Sequence, residues 1–263
     1  GFSYDVITDH DLHREGAELL EHYNVVITGS HPEYYSERML DGMSTYLTGG
    51  GRLMYLGGNG FYWVTSQPSD NPQVIEVRKW NGTQGYAMPP GERYHSTTGE
   101  MGGLWRSRGR PPQELVGVAF SAQGYGGTHI WRRNFPYKRQ SDSEAEIAQF
   151  IFAGLTVDTM IGAFDSPRVG FGVAGDEVDR AEPGLGTPPN ALVVARADQM
   201  SSAYQLVVEE INQTGPNLSG ANNPMIRADM VYVRYPNEGA VFSPGSLSWF
   251  KGLSFNEYQN SVS

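Results

Sequence analysis

The sequence predicts an α/β protein in which a parallel central sheet carries helices on both faces, with added β-rich loop segments, as a single domain over residues 1–263. Three observations predict it. Short apolar runs alternate with helical periodicity through the first quarter of the chain, in the order strand, helix, strand, helix, strand. Their close spacing favours parallel strands joined by right-handed crossovers. Glycine (33) and proline (16) are plentiful while charged residues are only 18%, which suits a loop-rich enzyme-like body better than a helical bundle.

Residues 4–8 alternate as a strand does and deliver Asp9, His10, Asp11 and His13 at their end. Asp9 or Asp11 suits the cap of a helix over 12–23, with Leu12, Ala17, Leu19 and Leu20 on its inner side. Asp9, His10 and His13 are also of metal-ligating type. Residues 25–28 form a second buried strand, ending in Gly29-Ser30-His31-Pro32-Glu33-Tyr34-Tyr35. Ser36 caps the next helix, whose Met39, Leu40, Met43, Tyr46 and Leu47 make one apolar face. Gly49-Gly50-Gly51 stops it, and residues 53–56 are the third strand, short, apolar and bounded by glycines. That strand breaks into Gly57-Gly58-Asn59-Gly60, a composition suited to a sharp turn with positive φ that raises Asn59 above the sheet edge. Hydrolases built on such an elbow place Ser or Cys at its tip; Asn59 can bind but cannot attack. Cysteine is absent from the chain, which removes thiol nucleophiles, disulfides and thiolate metal sites together.

Further along, a strand is expected at 74–77 within a polar stretch, and Glu100 stands between Gly99 and Gly102-Gly103, where a backbone can approach something closely. Arg106, Arg108 and Arg110 are salt partners or anion binders. A strand at 115–120 precedes a glycine-rich turn with His129, read as a hydrogen-bonding structural group. A helix is expected at 141–155, strands at 168–174, 191–195 and 230–235, and a helix at 201–211. The acidic, Gly/Pro-rich run 176–189 and the polar run 212–223 read as loops. The small and apolar residues of 239–250 suit a chain threading back through the core.

In a parallel sheet, ligands bind beyond the carboxyl ends of the strands. Those ends carry Asp9 and His10, then His31, Glu33, Tyr34 and Tyr35, then Asn59 and Tyr62, so three loops offer oxygen and nitrogen donors to one place. Phenol, carboxylate and imidazole are hard or borderline ligands, suited to ferric iron, manganese or zinc. The alternative makes Tyr34, Tyr35 and Tyr62 amphipathic residues at the edge of the core. A net charge of −10 argues against nucleic acid, and no apolar run is long enough to cross a membrane. A cytoplasmic location is expected. The abrupt start on a strand suggests a fragment of a longer chain.

The segments His31-Pro-Glu-Tyr34, Gly50-Gly-Arg-Leu-Met-Tyr-Leu-Gly-Gly-Asn-Gly-Phe-Tyr-Trp63, His95-Ser-Thr-Thr-Gly-Glu100 with Gly102-Gly-Leu-Trp-Arg106, and Gly239-Ala-Val-Phe-Ser243 with Gly245-Ser246 resemble the large (beta) subunit family of N,N-dimethylformamidase. The resemblance covers nearly the whole chain and falls on the carboxy-terminal part of that subunit. It implies a class I glutamine-amidotransferase-like (flavodoxin-like) fold and hydrolysis of N,N-dimethylformamide to dimethylamine and formate. It also implies a mononuclear ferric iron held by two tyrosines and one glutamate, a small partner subunit and the remaining part of the large subunit. Carried onto this sequence, Tyr34 and Tyr62 take the tyrosine positions, with Tyr35 and Tyr4 as substitutes, and Glu100 takes the glutamate. Asn59 is assigned as a hydrogen-bond donor, His95 as a proton-transfer group and Glu238 as a distal carboxylate. Two other classes stay open: a non-catalytic amidotransferase-like binding or scaffold domain, and a sugar-processing α/β domain lined by Tyr62, Trp63, Trp105 and Trp131. The missing cysteine excludes a glutamine amidotransferase proper.

Overall fold

The computed structural model describes residues 3–124, 134–164, 171–211 and 219–263. Thr8 caps helix α1 (Asp9–Glu15): its hydroxyl accepts from the Asp11 amide, and the Asp11 carboxylate accepts from the Thr8 amide at 3.0 Å. Asp11 thus completes the cap from the third helical position. No strand forms at 4–8, where Tyr4 and Val6 are 84% and 83% exposed; the alternation there meets no partner edge. The predicted long helix also breaks, because Gly16 at φ 64° separates α1 from α2 (Ala17–Leu20).

Strands β1 (Val26–Ile27) and β2 (Tyr34–Tyr35) follow, then helix α3 (Glu37–Thr48). Ser36 accepts from the Met39 amide, and Met39, Leu40, Met43, Tyr46 and Leu47 are all buried, as their period requires. Strand β3 (Arg52–Met54) runs parallel to β1 with Val26 opposite Leu53, so the predicted parallel pairing of these two holds. The chain continues through β4 (Trp63–Ser66), β5 (Glu76–Val77), α4 (Pro112–Val116), β6 (Ala119–Gly124), β7 (Lys138–Arg139), β8 (Glu177–Arg180), β9 (Leu192–Ala197), β10 (Tyr204–Leu206), β11 (Ala228–Arg234), β12 (Ala240–Ser243) and α5 (Phe250–Leu253).

The parallel, flavodoxin-like sheet with helices on both faces is overturned. The largest sheet has the order β1-β3-β12-β11-β9-β7, and only β1, β3 and β12 are parallel; β11 is antiparallel to both β12 and β9, and β7 to β9. A second sheet, β10-β6-β8, is antiparallel, and a third, β2-β4-β5, is mixed. The cause is the missing crossovers in the later part of the chain. β11 and β12 are joined by the short turn Pro236–Glu238, which only antiparallel neighbours can use. Residues 141–155 hold two 3-10 stretches, Ser141–Glu144 and Glu146–Phe152, in which Ile147 and Phe150 stay exposed while Ala148 and Phe152 are buried. Residues 201–211 hold β10, whose Tyr204 and Leu206 are buried around an exposed Gln205, a period of two.

Other boundaries move for local reasons. The strand expected at 115–120 is split by Gly117 at φ 81°, which ends α4 before β6 begins. The run 176–189, read as a loop, contains β8, all of it buried. Of the strand expected at 168–174, residues 168–170 lie outside the described residues and the rest contributes a bridge between Ala174 and Phe135. Residues 191–195 and 230–235 contribute β9 and β11, and the tail threads β12 between β3 and β11 as expected. The core around α3 holds Met39, Met43, Leu47, Leu53, Val231 and Val241; a second holds Tyr137, Val178, Val194, Met230 and Trp249. Among the described residues no helix is long and apolar enough to cross a membrane.

Candidate functional site

The turn after β3 is where separate pieces of backbone come closest. A Cβ on Gly57 would lie 2.3 Å from the Ser30 carbonyl oxygen, and one on Gly58 would lie 2.7 Å from both the Glu177 carbonyl oxygen and the Leu247 amide. Glycine is therefore what allows the β1–β2 loop, the turn and β8 to meet. Asn59 has φ 53°, the positive value expected of the tip, yet it is only 3% exposed. It is buried under its neighbours rather than raised into solvent.

The donors of this turn are used to position carboxylates and a phenol. The Asn59 amide donates to Asp179 Oδ1 at 2.9 Å, and its side-chain Nδ2 donates to Glu33 Oε1 at 2.7 Å. Tyr55 donates its hydroxyl to Asp179 Oδ2 at 2.7 Å and accepts from the Gly60 amide at 2.7 Å. His31 lies between two carboxylates, with Nδ1 3.4 Å from Glu33 Oε1 and Nε2 hydrogen-bonded to Glu177 Oε2. Gln123 Nε2 donates to Glu177 Oε1 at 3.2 Å. His31, Glu33 and Glu177 each present a ligand atom, all within 4.8 Å of one another.

The electrostatics of the cluster are unbalanced. Burial pushes the Glu33 carboxyl up, Glu177 adds to this and His31 opposes it. Burial pushes Asp179 up to about 7, against the bonds from Asn59 and Tyr55. The hydrogen bond to Glu177 holds His31 above the usual histidine range, against its own partial burial. Two carboxyl groups thus flank one imidazole, with Asp179 near enough to act on its charge, an arrangement stabilised by protons or by a cation. Among the described residues, Asn59 Oδ1 and Gln123 Oε1 are also buried acceptors without a partner. These donor types fit a hard or borderline metal ion.

The residues expected at the site are dispersed. Tyr34 stays beside it: its hydroxyl meets Lys79 Nζ at 2.5 Å and also engages the Glu33 carboxyl. Tyr62 is buried with Trp63, Leu104, Phe120 and Val207, its hydroxyl donating to Glu209 and accepting from the Thr83 amide at 3.0 Å. Glu100 pairs with Arg108 at 3.1 Å and lines a cavity of about 620 Å³ shared with His10 and His13. Tyr35 is buried against Phe61 and Tyr4 is exposed. His95 is buried, with Nδ1 2.5 Å from Ser66 Oγ, in another part of the molecule's hydrogen bonding than the Asn59 turn. Glu238 is exposed at a positive φ and faces Arg52 at 3.9 Å. Arg106, Arg108 and Arg110 are salt partners of Glu210, Glu100 and Asp41.

Trp63 and Trp105 are 2% and 0% exposed, so neither can stack on a sugar; Trp131 and His129 lie outside the described residues. Glu177 and Asp179 belong to no motif in the sequence that marks them as site residues. Both lie on β8, where alternate inward-facing carboxylates carry no apolar period to mark a strand.

The sequence matches the family described as "N,N-dimethylformamidase beta subunit-like, C-terminal" over residues 1–260. It is 41% identical over 263 residues to the N,N-dimethylformamidase beta subunit of Paracoccus aminophilus and 40% identical over 263 residues to the beta subunit of the same name from Alcaligenes sp. Each match covers 100% of this chain and 34% of the relative, so the chain spans about a third of the length of the curated relatives it matches.

Proposed function

The chain belongs to the N,N-dimethylformamidase beta subunit-like family, and from that premise we propose that it forms part of a metal-dependent hydrolase of small linear amides, N,N-dimethylformamide first among them, with His31, Glu33, Asn59 and Glu177 at the reacting centre. The observation that carries the proposal is the junction at Asn59: the elbow tip holds Glu33 in place, and the His31–Glu177 pair lies against the same carboxylate.

Glu33 is the residue of this chain proposed to hold the metal, in the role that the resemblance gave to Glu100. Two features favour it: it is buried, and Asn59 Nδ2 fixes one of its oxygens. Iron is the ion proposed; bound there it would polarise the amide carbonyl and acidify a water. The chain's own residues then move protons. Glu177 accepts a proton from the attacking water as the new C–O bond forms, and His31, hydrogen-bonded to Glu177, delivers a proton to the amine nitrogen as the C–N bond breaks. Formate and dimethylamine are the products. Asn59 acts on the chemistry only through Glu33. The remaining part of the large subunit and a small subunit are proposed partners.

Measuring iron content and amide turnover together in the assembled enzyme tests this. Glu33→Gln is expected to lose both with the fold retained by circular dichroism. Full iron occupancy and turnover in that variant would overturn the assignment.

A further inference from the structure

Ile27, Met54, Phe242 and Tyr232 stand opposite one another in register across β1, β3, β12 and β11, so they form one apolar row on a single face of the largest sheet. Their neighbours Leu53, Val241 and Val233 belong to the opposite face and are buried in the core around α3. The row itself is only partly covered: Ile27 is 60% exposed, and Met54, Phe242 and Tyr232 are half-buried. Phe150, 64% exposed, extends the row by meeting the Tyr232 ring edge-to-face at 5.6 Å between centroids. Met54, Phe242, Tyr232 and Phe150 line a groove of about 490 Å³, and Val25 carries it to β1, the edge strand of the sheet. Among the described residues, Arg52 is the one charged side chain on its lining.

We propose that this groove seats an amphipathic helix contributed by the part of the large subunit that lies outside this stretch, with an acidic residue beside its apolar face to meet Arg52. The inference shares the large-subunit context with the proposed function and rests on neither the metal nor Glu33. A sheet that carries a helix on one face buries its other apolar face under a second layer, and a contiguous exposed apolar patch marks an interaction surface. The surface on offer is a face of side chains, not an edge of backbone groups, so it takes a packed element and not an added strand. The row spans three strand spacings, about 14 Å, which suits one helix of about 10–12 Å diameter. The length of the relatives favours this occupant. They align with the whole of this chain over 34% of their own length, so about two thirds of each lies outside the matched stretch, joined to it covalently. A tethered segment reaches the groove at a high effective concentration that a separate chain lacks. A second copy of this chain is disfavoured, because each copy brings a net charge of −10 to the other.

Photo-crosslinking in the assembled enzyme tests this, with p-benzoylphenylalanine in place of Phe150 and the joined peptides identified by mass spectrometry. The expected partner is one segment of the same large subunit, outside these residues, with apolar residues at helical spacing. Ile27→Asp and Arg52→Glu, each made beside the photoprobe, are expected to lose most of that cross-link while circular dichroism shows the fold retained; both positions are exposed, so the chain itself tolerates the change. A cross-link to the small subunit or to a second copy of this chain would overturn the proposal. So would the absence of any cross-link, or an undiminished yield in either variant. The readout needs no turnover, so a failed metal assignment and a failed docking assignment are told apart.

Discussion

His31 and Glu177 are 146 residues apart in the chain and share a hydrogen bond between the imidazole Nε2 and carboxylate Oε2. One comes from the loop between β1 and β2, the other from the inner end of an antiparallel sheet, so the candidate site exists only where these two parts of the fold meet. Glu177→Gln keeps the shape and both hydrogen-bonding neighbours but removes the basic oxygen. In the assembled enzyme, kcat for amide hydrolysis is expected to fall about 100-fold or more, with the melting temperature nearly unchanged. A fall of only about twofold would remove Glu177 from the chemistry.

Gly58 is the contact that holds the two parts at this distance. A methyl group there would meet two backbone atoms at 2.7 Å, the Glu177 carbonyl oxygen and the Leu247 amide, and neither can turn aside as a side chain can. Gly58→Ala is expected to cost about 1–3 kcal/mol of stability and to lower activity by separating His31 from Glu177. Gly29 is the control, because a Cβ there meets nothing within 4 Å and its φ is not positive. Gly29→Ala should be close to neutral in the same denaturant titration. Equal stability of the two variants would contradict the steric account.

The convergence of His31, Glu33 and Asn59 was legible because all three follow short apolar strands whose spacing specifies parallel neighbours, and β1 and β3 are such neighbours. The positive φ of Asn59 was legible from its glycines. What the sequence did not disclose lies in the later part of the chain. Tyr204-Gln205-Leu206 sits among enough helix-compatible residues to pass as helix, although its burial alternates. Glu177 and Asp179 sit in an acidic, glycine-rich run, and their burial is set by Asn59, Tyr55 and His31, which approach from elsewhere in the fold. Glu100 stands in the more distinctive motif, yet distinctiveness is not location: it pairs with Arg108.

Glu76 makes the stability of the 93–101 segment depend on acid. Burial alone would raise its carboxyl, but hydrogen bonds from Thr97 and Ser96 and the Arg78 guanidinium hold it well below its usual value of 4.5. Because the folded state favours the ionised form, this contribution is present in full above the usual value and is lost as pH falls toward the depressed one. The stability difference between wild type and Glu76→Gln is therefore expected to shrink steadily from about pH 6 to about pH 3. Urea titrations across that range measure it; a difference that stays constant, or grows in acid, would show that the carboxylate is not held in this way.

Tyr62 and Glu33 separate two ways of building a metal centre. If the phenol of Tyr62 were a ligand, Tyr62→Phe would lower iron occupancy as sharply as Glu33→Gln. The Tyr62 hydroxyl is instead committed to Glu209 and to the Thr83 amide, in a pocket of Trp63, Leu104, Phe120 and Val207. Burial, with Glu209 beside it, holds that phenol protonated far above neutral pH. Removing the hydroxyl leaves Glu209 Oε1 without its donor, while Thr83 still serves Oε2 through its amide at 3.0 Å and its hydroxyl at 3.1 Å. The expected result is a loss of about 1–2 kcal/mol in stability, with iron content and kcat close to wild type. Glu33→Gln should show the reverse, near-normal stability with the metal gone. Iron lost in Tyr62→Phe and kept in Glu33→Gln would move the metal to the Tyr62 side and remove Glu33 as its anchor.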